Sequence, residues 1–345
     1  MGAFKAEIRY PLEPDLDNAQ RRKQYMSKIF LFLFYLLLLF TIQNSVFADT
    51  KLVLLLDWFI NPDHGPIIIA DKKGYFKNNN LSVEIIPPAN PADPPKMVAA
   101  GKADIAISYQ PDLHLQVHQG LPVVRIGTLV ATPLNCLLVL EDGPIKTIAD
   151  LRNSKIGYSI PGIQEALVYG LLKNANINKN EVELINVNWS LSPSLMSGQV
   201  DAVIGAFRNF ELNQMTIEGI KGKCFYPEEE GVPPYDELIF IVNNKMINNK
   251  VLNNFLFAIE KATQFIVNHP EESWKIFSNT SKELNTKLNK MAWYDTIPRL
   301  ALRPSALDTK RYIRFEKFLL SQGLIKNMLP IKLMAIELPY EFYEE

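Results

Sequence analysis

Two stretches of this 345-residue chain, separated by ninety-eight positions, repeat one local plan, and the repetition restricts the fold more than any other feature. Met97–Tyr109 reads MVAAGKADIAISY and Leu195–Phe207 reads LMSGQVDAVIGAF. Each is a helix end, a glycine, two residues, an aspartate and an apolar strand. Glycine supplies a left-handed helix stop, and aspartate suits the turn into the strand. The surroundings match as well. The apolar run Leu52–Leu56, a helical pattern over His64–Phe76, the alternating Leu81–Ile86 and a proline-led helix at Pro94–Ala100 precede the first copy. A strand at Lys155–Tyr158, a helix at Ile163–Ala175, a strand at Val182–Val187 and a short helix at Pro193–Ser197 precede the second. Short apolar runs alternating with helices make parallel α/β sheets. The repeat predicts two similar doubly wound α/β lobes.

The linkers set the connectivity. Val139–Pro144 (VLEDGP) reads as the crossing to the second lobe, and Pro233-Pro234-Tyr235 before the strand Leu238–Val242 reads as the return. The expected division is residues 49–140 for the first part of lobe 1, 141–236 for lobe 2, and 237–345 for the completion of lobe 1 with C-terminal helices. One of these helices, Val251–Asn268, carries Leu252, Phe255, Leu256, Ile259, Ala262 and Ile266 on a single face. Two crossings make a hinge, and ligands sit in clefts between hinged lobes.

Ahead of this body, Ile29–Ile42 is an apolar run preceded by Arg21, Arg22, Lys23 and Lys28 and followed by Val46-Phe47-Ala48. Such a run is short for a spanning helix, which needs about 20 residues. Its flanks fit a secretory signal over residues 1–48 with cleavage after Ala48. An uncleaved anchor is the alternative, and a start at Met26 would shorten the long leading region. No cysteine lies near the cleavage point, so an exported, non-lipidated protein is expected. Residues 1–48 hold six basic and four acidic side chains, so their loss moves the net charge from −1 to −3. No basic stripe is present, which argues against a nucleic-acid partner. Cys136 and Cys224 could pair in an exported protein but do not amount to a disulfide framework, and Cys136 reads as a small core residue. His114 and His118 stand one helical turn apart without an evident third ligand, so no metal is expected.

Ligands in open parallel sheets bind beyond the carboxyl ends of the strands. The residues found there are Asp57, Trp58, Asn61 and His64, then Tyr109, Gln110 and Asp112, from the first lobe. Gly162 and Glu165 at a helix start, Asn188-Trp189, and Asn209 with Glu211 come from the second. Rings for stacking and carboxylates for N–H groups suit a flat, polar heteroaromatic ligand. Each residue also has a plainer reading. Trp58 fits a core aromatic, His64 a helix cap, Glu165 the favourable end of its helix, Trp189 packing between lobes, and Asp104 and Asp201 turn structure.

Asp57–Ala70 (DWFINPDHGPIIIA), Lys73–Phe76 (KGYF), Ala89–Asp93 (ANPAD), Ser108–Asp112 (SYQPD) and Gln119–Pro122 (QGLP) together resemble bacterial periplasmic proteins that bind thiamine-pyrimidine precursors. Gly157–Glu165, Val200–Glu211 and Trp293–Arg303 are similar to that family too, so the resemblance spans Lys51 to about Leu338. It implies a type II periplasmic-binding-protein fold, a monomer working with an ABC permease and its ATPase, no cofactor and no catalysis. The implied ligand is a formylaminopyrimidine or hydroxymethylpyrimidine. The pocket carried over would include Asp57, Trp58, His64, Tyr109, Glu165, Asn209 and Glu211, with Arg208 where an aromatic is expected. Fungal pyrimidine synthases share the resemblance but use a lysine that holds pyridoxal phosphate, a sacrificial histidine and a cysteine cluster. Ser108 and Asp112 stand at the lysine and histidine positions here, and without an amine no Schiff base forms. A sulfonate, nitrate or riboflavin cargo on the same fold stays open.

Overall fold

The computed structural model describes residues 24–32 and 49–339, except for the side chains of Ile163, Glu165 and Ala166. The chain divides into two units, Met1–Ala48 and Asp49–Glu345. Of the first, residues 24–32 form a helix, α1, with exposed side chains. The expected cleavage point and most of the apolar run lie outside the described residues. Among the described residues no helix is long and apolar enough to cross a membrane.

In the second unit the repeated plan becomes two sheets of identical topology. The first sheet holds β1 (Thr50–Leu55), β2 (Leu81–Ile86), β3 (Ile105–Ser108), β4 (Val123–Val130) and the late strand β10 (Leu238–Asn243), in the order β2-β1-β3-β10-β4. The second holds β5 (Asn135–Leu140), β6 (Lys155–Tyr158), β7 (Glu183–Asn186), β8 (Ala202–Phe207) and β9 (Gly222–Phe225), in the order β7-β6-β8-β5-β9. In each, three strands run parallel and the fourth position is antiparallel to both neighbours. That fourth strand is the first one reached after crossing from the other lobe. Together with its structural neighbours, described below, this is the periplasmic-binding-protein fold.

The two aspartates explain the repeated sequence. Asp104 Oδ2 accepts from the Val53 N–H at 2.7 Å, and Asp201 Oδ2 accepts from the Lys155 N–H at 2.7 Å. Each one ties the start of its own strand to the neighbouring parallel strand. Gly101 and Gly198 stop the preceding helices at φ of +68° and +72°, where a side chain would be strained.

Helices cover the sheets. The first-lobe set is α2 (Gly65–Lys72), α3 (Tyr75–Asn78), α4 (Pro94–Ala99) and α5 (Gln110–His118); the second-lobe set is α6 (Ile163–Asn174), α7 (Leu191–Met196) and α8 (Glu211–Ile217). The return brings α9 (Val251–Asn268), α10 (Pro270–Ser278), α11 (Lys287–Thr296) and α12 (Thr309–Ser321). The predicted apolar face of α9 is buried against the first sheet, packed with Trp274, Phe277 and Trp293.

Two sequence expectations need correction. The first crossing is residues 131–134, not Val139–Pro144, because Asn135–Leu140 is already a strand of the second sheet. The C-terminal part is also not confined to the first lobe. On α12, Tyr312 joins the core under the first sheet, whereas Phe315, Phe318 and Leu319 join the core of the second. At the cysteines the structure decides between the open alternatives, and Cys136 is a buried core residue as expected. Cys136 and Cys224 form a disulfide. Strands β5 and β9 are neighbours, which brings two residues 88 positions apart together.

The second crossing, residues 226–237, is pinned at Asp236. Its buried carboxylate accepts from Thr128 at 2.9 Å and Tyr312 at 3.3 Å and pairs with Arg311, while its N–H donates to Gln110 Oε1 at 2.8 Å. A buried carboxylate satisfied on every side fixes its neighbours. Those neighbours, Tyr235 and Glu237, face the cleft.

Candidate functional site

Between the sheets lies a cavity enclosing about 630 Å³, its open mouth included, and both lobes wall it. The first lobe supplies Asp57, Trp58, Asn61 and Asp63 from the loop after β1, with Tyr109 and Pro111 after β3. The second supplies Ser159, Ile160 and Gln164 after β6, and Phe207, Phe210 and Glu211 where β8 meets α8. These are carboxyl ends of parallel strands, the expected place for a ligand. The second crossing adds Tyr235 and Glu237, and Asn135 adds to the wall from the start of β5, directly after the first crossing.

The loop after β1 is locked by its own hydrogen bonds. Asn61 caps the following turn, accepting from the Asp63 N–H at 2.8 Å, while its own N–H donates to His64 Nδ1 at 3.2 Å. Because Nδ1 accepts, the ring proton sits on Nε2 and is donated to Asp57 Oδ1 at 2.9 Å. The Tyr109 hydroxyl donates to Asp57 Oδ2 at 2.7 Å. Asp57 is therefore oriented from both sides. Burial, and then the Asp57 charge, push the Tyr109 hydroxyl well above its usual pKa, so it stays a donor.

Four carboxyl groups line the cavity: Asp57, Asp63, Glu211 and Glu237. No lysine, arginine or histidine lines it among the described residues. Burial raises Glu211 to about 7, helped by the Asp63 charge and opposed by the Phe207 N–H, which donates to it at 2.6 Å. Burial also raises Glu237 to about 7, against the N–H groups of Asn135 and Leu134. Asp63 is raised by burial too, opposed by hydrogen bonds from Thr296 and Asn209. Aromatic rings close the mouth. Trp58 and Trp189 meet across the lobes with centroids 4.2 Å apart, and Phe59 lies 5.8 Å from Phe210. Such pairs add about 0.5–1.5 kcal/mol beyond their buried area.

The structure distributes the sequence-predicted residues over three positions. Asp57, Trp58, Asn61, Tyr109 and Glu211 are in the wall. Trp189 sits at the rim, 38 % exposed. His64 and Asn209 are one layer behind: His64 is fully buried against Asp57, and Asn209 Nδ2 donates to Asp63 Oδ1 at 2.7 Å and Thr296 Oγ1 at 2.8 Å. That makes Asn209 a bond between lobes. Gly162 is the N-cap of α6, outside the wall, and the Glu165 side chain lies outside the described residues. The wall residue from this helix start is Gln164, whose Oε1 accepts from the Ser159 and Ile160 N–H groups at 2.6 and 3.0 Å. Gly205 lets it in, since a Cβ there would lie 2.1 Å from Gln164 Nε2.

Arg208 does not line the cavity. It grips Glu228 at 2.7 and 3.0 Å, the carbonyls of Leu134 and Asn135, and the face of Tyr226. It braces the first crossing. Among the described residues no group of three metal-binding side chains converges.

Comparison with known proteins gives this geometry a context. A family model described as NMT1/THI5 like matches residues 61–273. A Haemophilus influenzae protein whose name assigns it to thiamine biosynthesis is 50% identical over 293 residues, 85% of this chain and 93% of that protein. The formylaminopyrimidine-binding protein of Halalkalibacterium halodurans is 32% identical over 76% of this chain and 81% of its own length. A Candida albicans 4-amino-5-hydroxymethyl-2-methylpyrimidine phosphate synthase is 28% identical over 70% of this chain and 75% of its own. Among solved structures, the alkanesulfonate-binding protein SsuA of Xanthomonas axonopodis has a TM-score of 0.67 at 12% identity, over 83% of this chain and 98% of that one. A Candida albicans protein with the generic periplasmic binding protein fold has a TM-score of 0.68 at 15% identity, over 86% and 99%.

Proposed function

The chain belongs to the NMT1/THI5-like family, and from that premise we propose that it is the exported binding component of an ABC importer. Its cargo is an amine-bearing pyrimidine of the thiamine-precursor class, held between the lobes without chemical change. One observation carries the choice of ligand: the cavity is walled by four carboxyl groups and several rings, with no basic side chain among the described lining residues. Carboxylates accept the exocyclic amine of an aminopyrimidine, and rings stack on its face. A sulfonate or phosphate would meet like charge in a buried site, which costs more than any stacking returns. The likeness to the sulfonate-binding protein is therefore one of fold.

Support for a carrier over a synthase comes from two positions. Ser108 and Asp112 stand where the synthase resemblance calls for lysine and histidine, and neither is in the cavity wall. Export is supported by the basic residues and apolar run before Ala48, and by a disulfide that suits an oxidising compartment. A thermal-shift panel tests the reading. An aminopyrimidine at about 100 times its Kd stabilises by ~2.7 kcal/mol, a rise of several degrees, whereas alkanesulfonate, nitrate and riboflavin leave the midpoint in place. A shift with an anion and none with any pyrimidine would overturn the proposal.

A further inference from the structure

We propose that α12 is the pivot of the two lobes: it is built into both cores, so the second lobe opens and closes by turning about this helix rather than by swinging freely on the two crossings. The motion is the same whatever the cargo.

Four observations converge on the helix. Its side chains are divided between two cores. Tyr312 is fully buried under the first sheet, and Phe315, Phe318 and Leu319 are buried in the core of the second. Both crossings are tied to it as well. Arg311 donates to the Ala131 carbonyl of the first crossing at 2.6 Å and pairs with Asp236 of the second. The Tyr235 ring, also of the second crossing, stands edge-on to Phe315 with centroids 5.5 Å apart. On the first-lobe side, buried Glu316 accepts from His118 Nε2 of α5 at 3.0 Å and from the Leu329 N–H at 2.8 Å. On the second-lobe side, Lys173 Nζ of α6 donates to the Ser321 carbonyl at 3.1 Å. Helix α6 comes so close at Gly170 that a Cβ there would lie 2.9 Å from Phe318 Cζ.

That glycine is informative. Inside a helix it is less stable than alanine, and in α6 it leaves room for the Phe318 ring. Rings packed this closely do not slide without opening voids. Contacts near the axis of a rotation move least. A turn about α12 therefore keeps its packing in both lobes, whereas a swing about a distant axis breaks one set. The same α6 places Gln164 and Leu167 in the cavity wall, so a turn about α12 carries that wall relative to the first lobe.

Distances between nitroxide labels, read by pulsed electron spin resonance on the purified, ligand-free protein, test the pivot. Lys102→Cys and Gln199→Cys label equivalent exposed turns of the two lobes, and Lys317→Cys labels an exposed position on α12. The native cysteines are paired and do not compete for the label. Asn209→Ala removes buried bonds between the lobes and frees them to open. From wild type to Asn209→Ala, the Lys102–Gln199 distance should lengthen or spread, while Lys317–Lys102 and Lys317–Gln199 keep their wild-type values. A Lys317 distance that changes as much as Lys102–Gln199 would show α12 riding on one lobe and would overturn the inference. Three unchanged distances would overturn it too, since nothing then turns.

Discussion

Substituting Asn209 by alanine removes the bond that ties the lobes together most deeply. Asn209, Asp63 and Thr296 are each about 1 % exposed. The Asn209 Nδ2 group donates to Asp63 and Thr296, and Thr296 Oγ1 donates to Asp63 at 2.7 Å. Asn209 comes from the second lobe and its two partners from the first, so the two Asn209 bonds exist only when the lobes are closed, while the Thr296–Asp63 bond stays within the first lobe. A hydrogen bond to a charged group contributes about 1.5–3 kcal/mol. Losing it should lower the closing equilibrium roughly 10- to 150-fold, and the apparent affinity of a ligand that needs the closed form by up to the same factor. Asn213→Ala, one turn further along α8, removes an exposed bond to Asp295 at 2.8 Å and a bond to the Asn209 carbonyl at 2.8 Å and should cost less, about 0.5–1.5 kcal/mol. Small-angle scattering with and without saturating ligand, beside calorimetry, reads both effects. If Asn209→Ala binds as tightly as wild type and is equally compact, the bond plays no part in closure.

Proton linkage gives a second expectation. Glu211 and Glu237 sit near 7 in the folded protein against about 4.3 unfolded. The folded state holds extra protons between these values, so ligand-free stability should fall as pH rises from about 4.5 to about 7; denaturant melts that show it rising through that window would contradict the burial argument. N–H donors on the ligand favour the ionised carboxyls, so binding near pH 6.5 should release protons, measured as a buffer-dependent calorimetric heat; net uptake would contradict it. Replacing both cysteines by alanine opens a crosslink spanning 88 positions and should cost about 2–5 kcal/mol, read as a lower denaturation midpoint; an unchanged midpoint would show that the bond is not formed. Gly205→Ala places a methyl on Gln164 at a φ of +94° and should abolish tight binding while the second sheet still folds, seen by circular dichroism; unchanged affinity would remove Gln164 from the site.

The lobes were legible because the repeated Gly-x-x-Asp plan encodes a physical device, an aspartate capping the neighbouring parallel strand. The first crossing was misplaced because an apolar run followed by Asp-Gly-Pro looks like the end of a lobe. Only pairing with β8 and β9 shows that Asn135–Leu140 opens the next one. The same unseen neighbourhood hid the disulfide. At the site, residues directly after parallel strands were readable, and five of them, Asp57, Trp58, Asn61, Tyr109 and Glu211, line the cavity. His64 and Asn209 carried the right chemistry but one layer too deep, since a sequence gives the loop and not the direction of each side chain. Asp63 was overlooked inside the same loop. Tyr235 and Glu237 were read as linker, and the sequence holds no sign that a linker would become a wall. Gln164 was lost to its neighbour Glu165, because the phase of a helix start is set by hydrogen bonds to Ser159 and Ile160.

The most direct test of the account is a calorimetric titration of the purified protein with a formylated aminopyrimidine, run beside an alkanesulfonate. The acidic, ring-lined cavity predicts one pyrimidine bound per chain with a Kd between micromolar and nanomolar, about −8 to −12 kcal/mol, and no heat from the sulfonate. Tight sulfonate binding with no pyrimidine heat would contradict it.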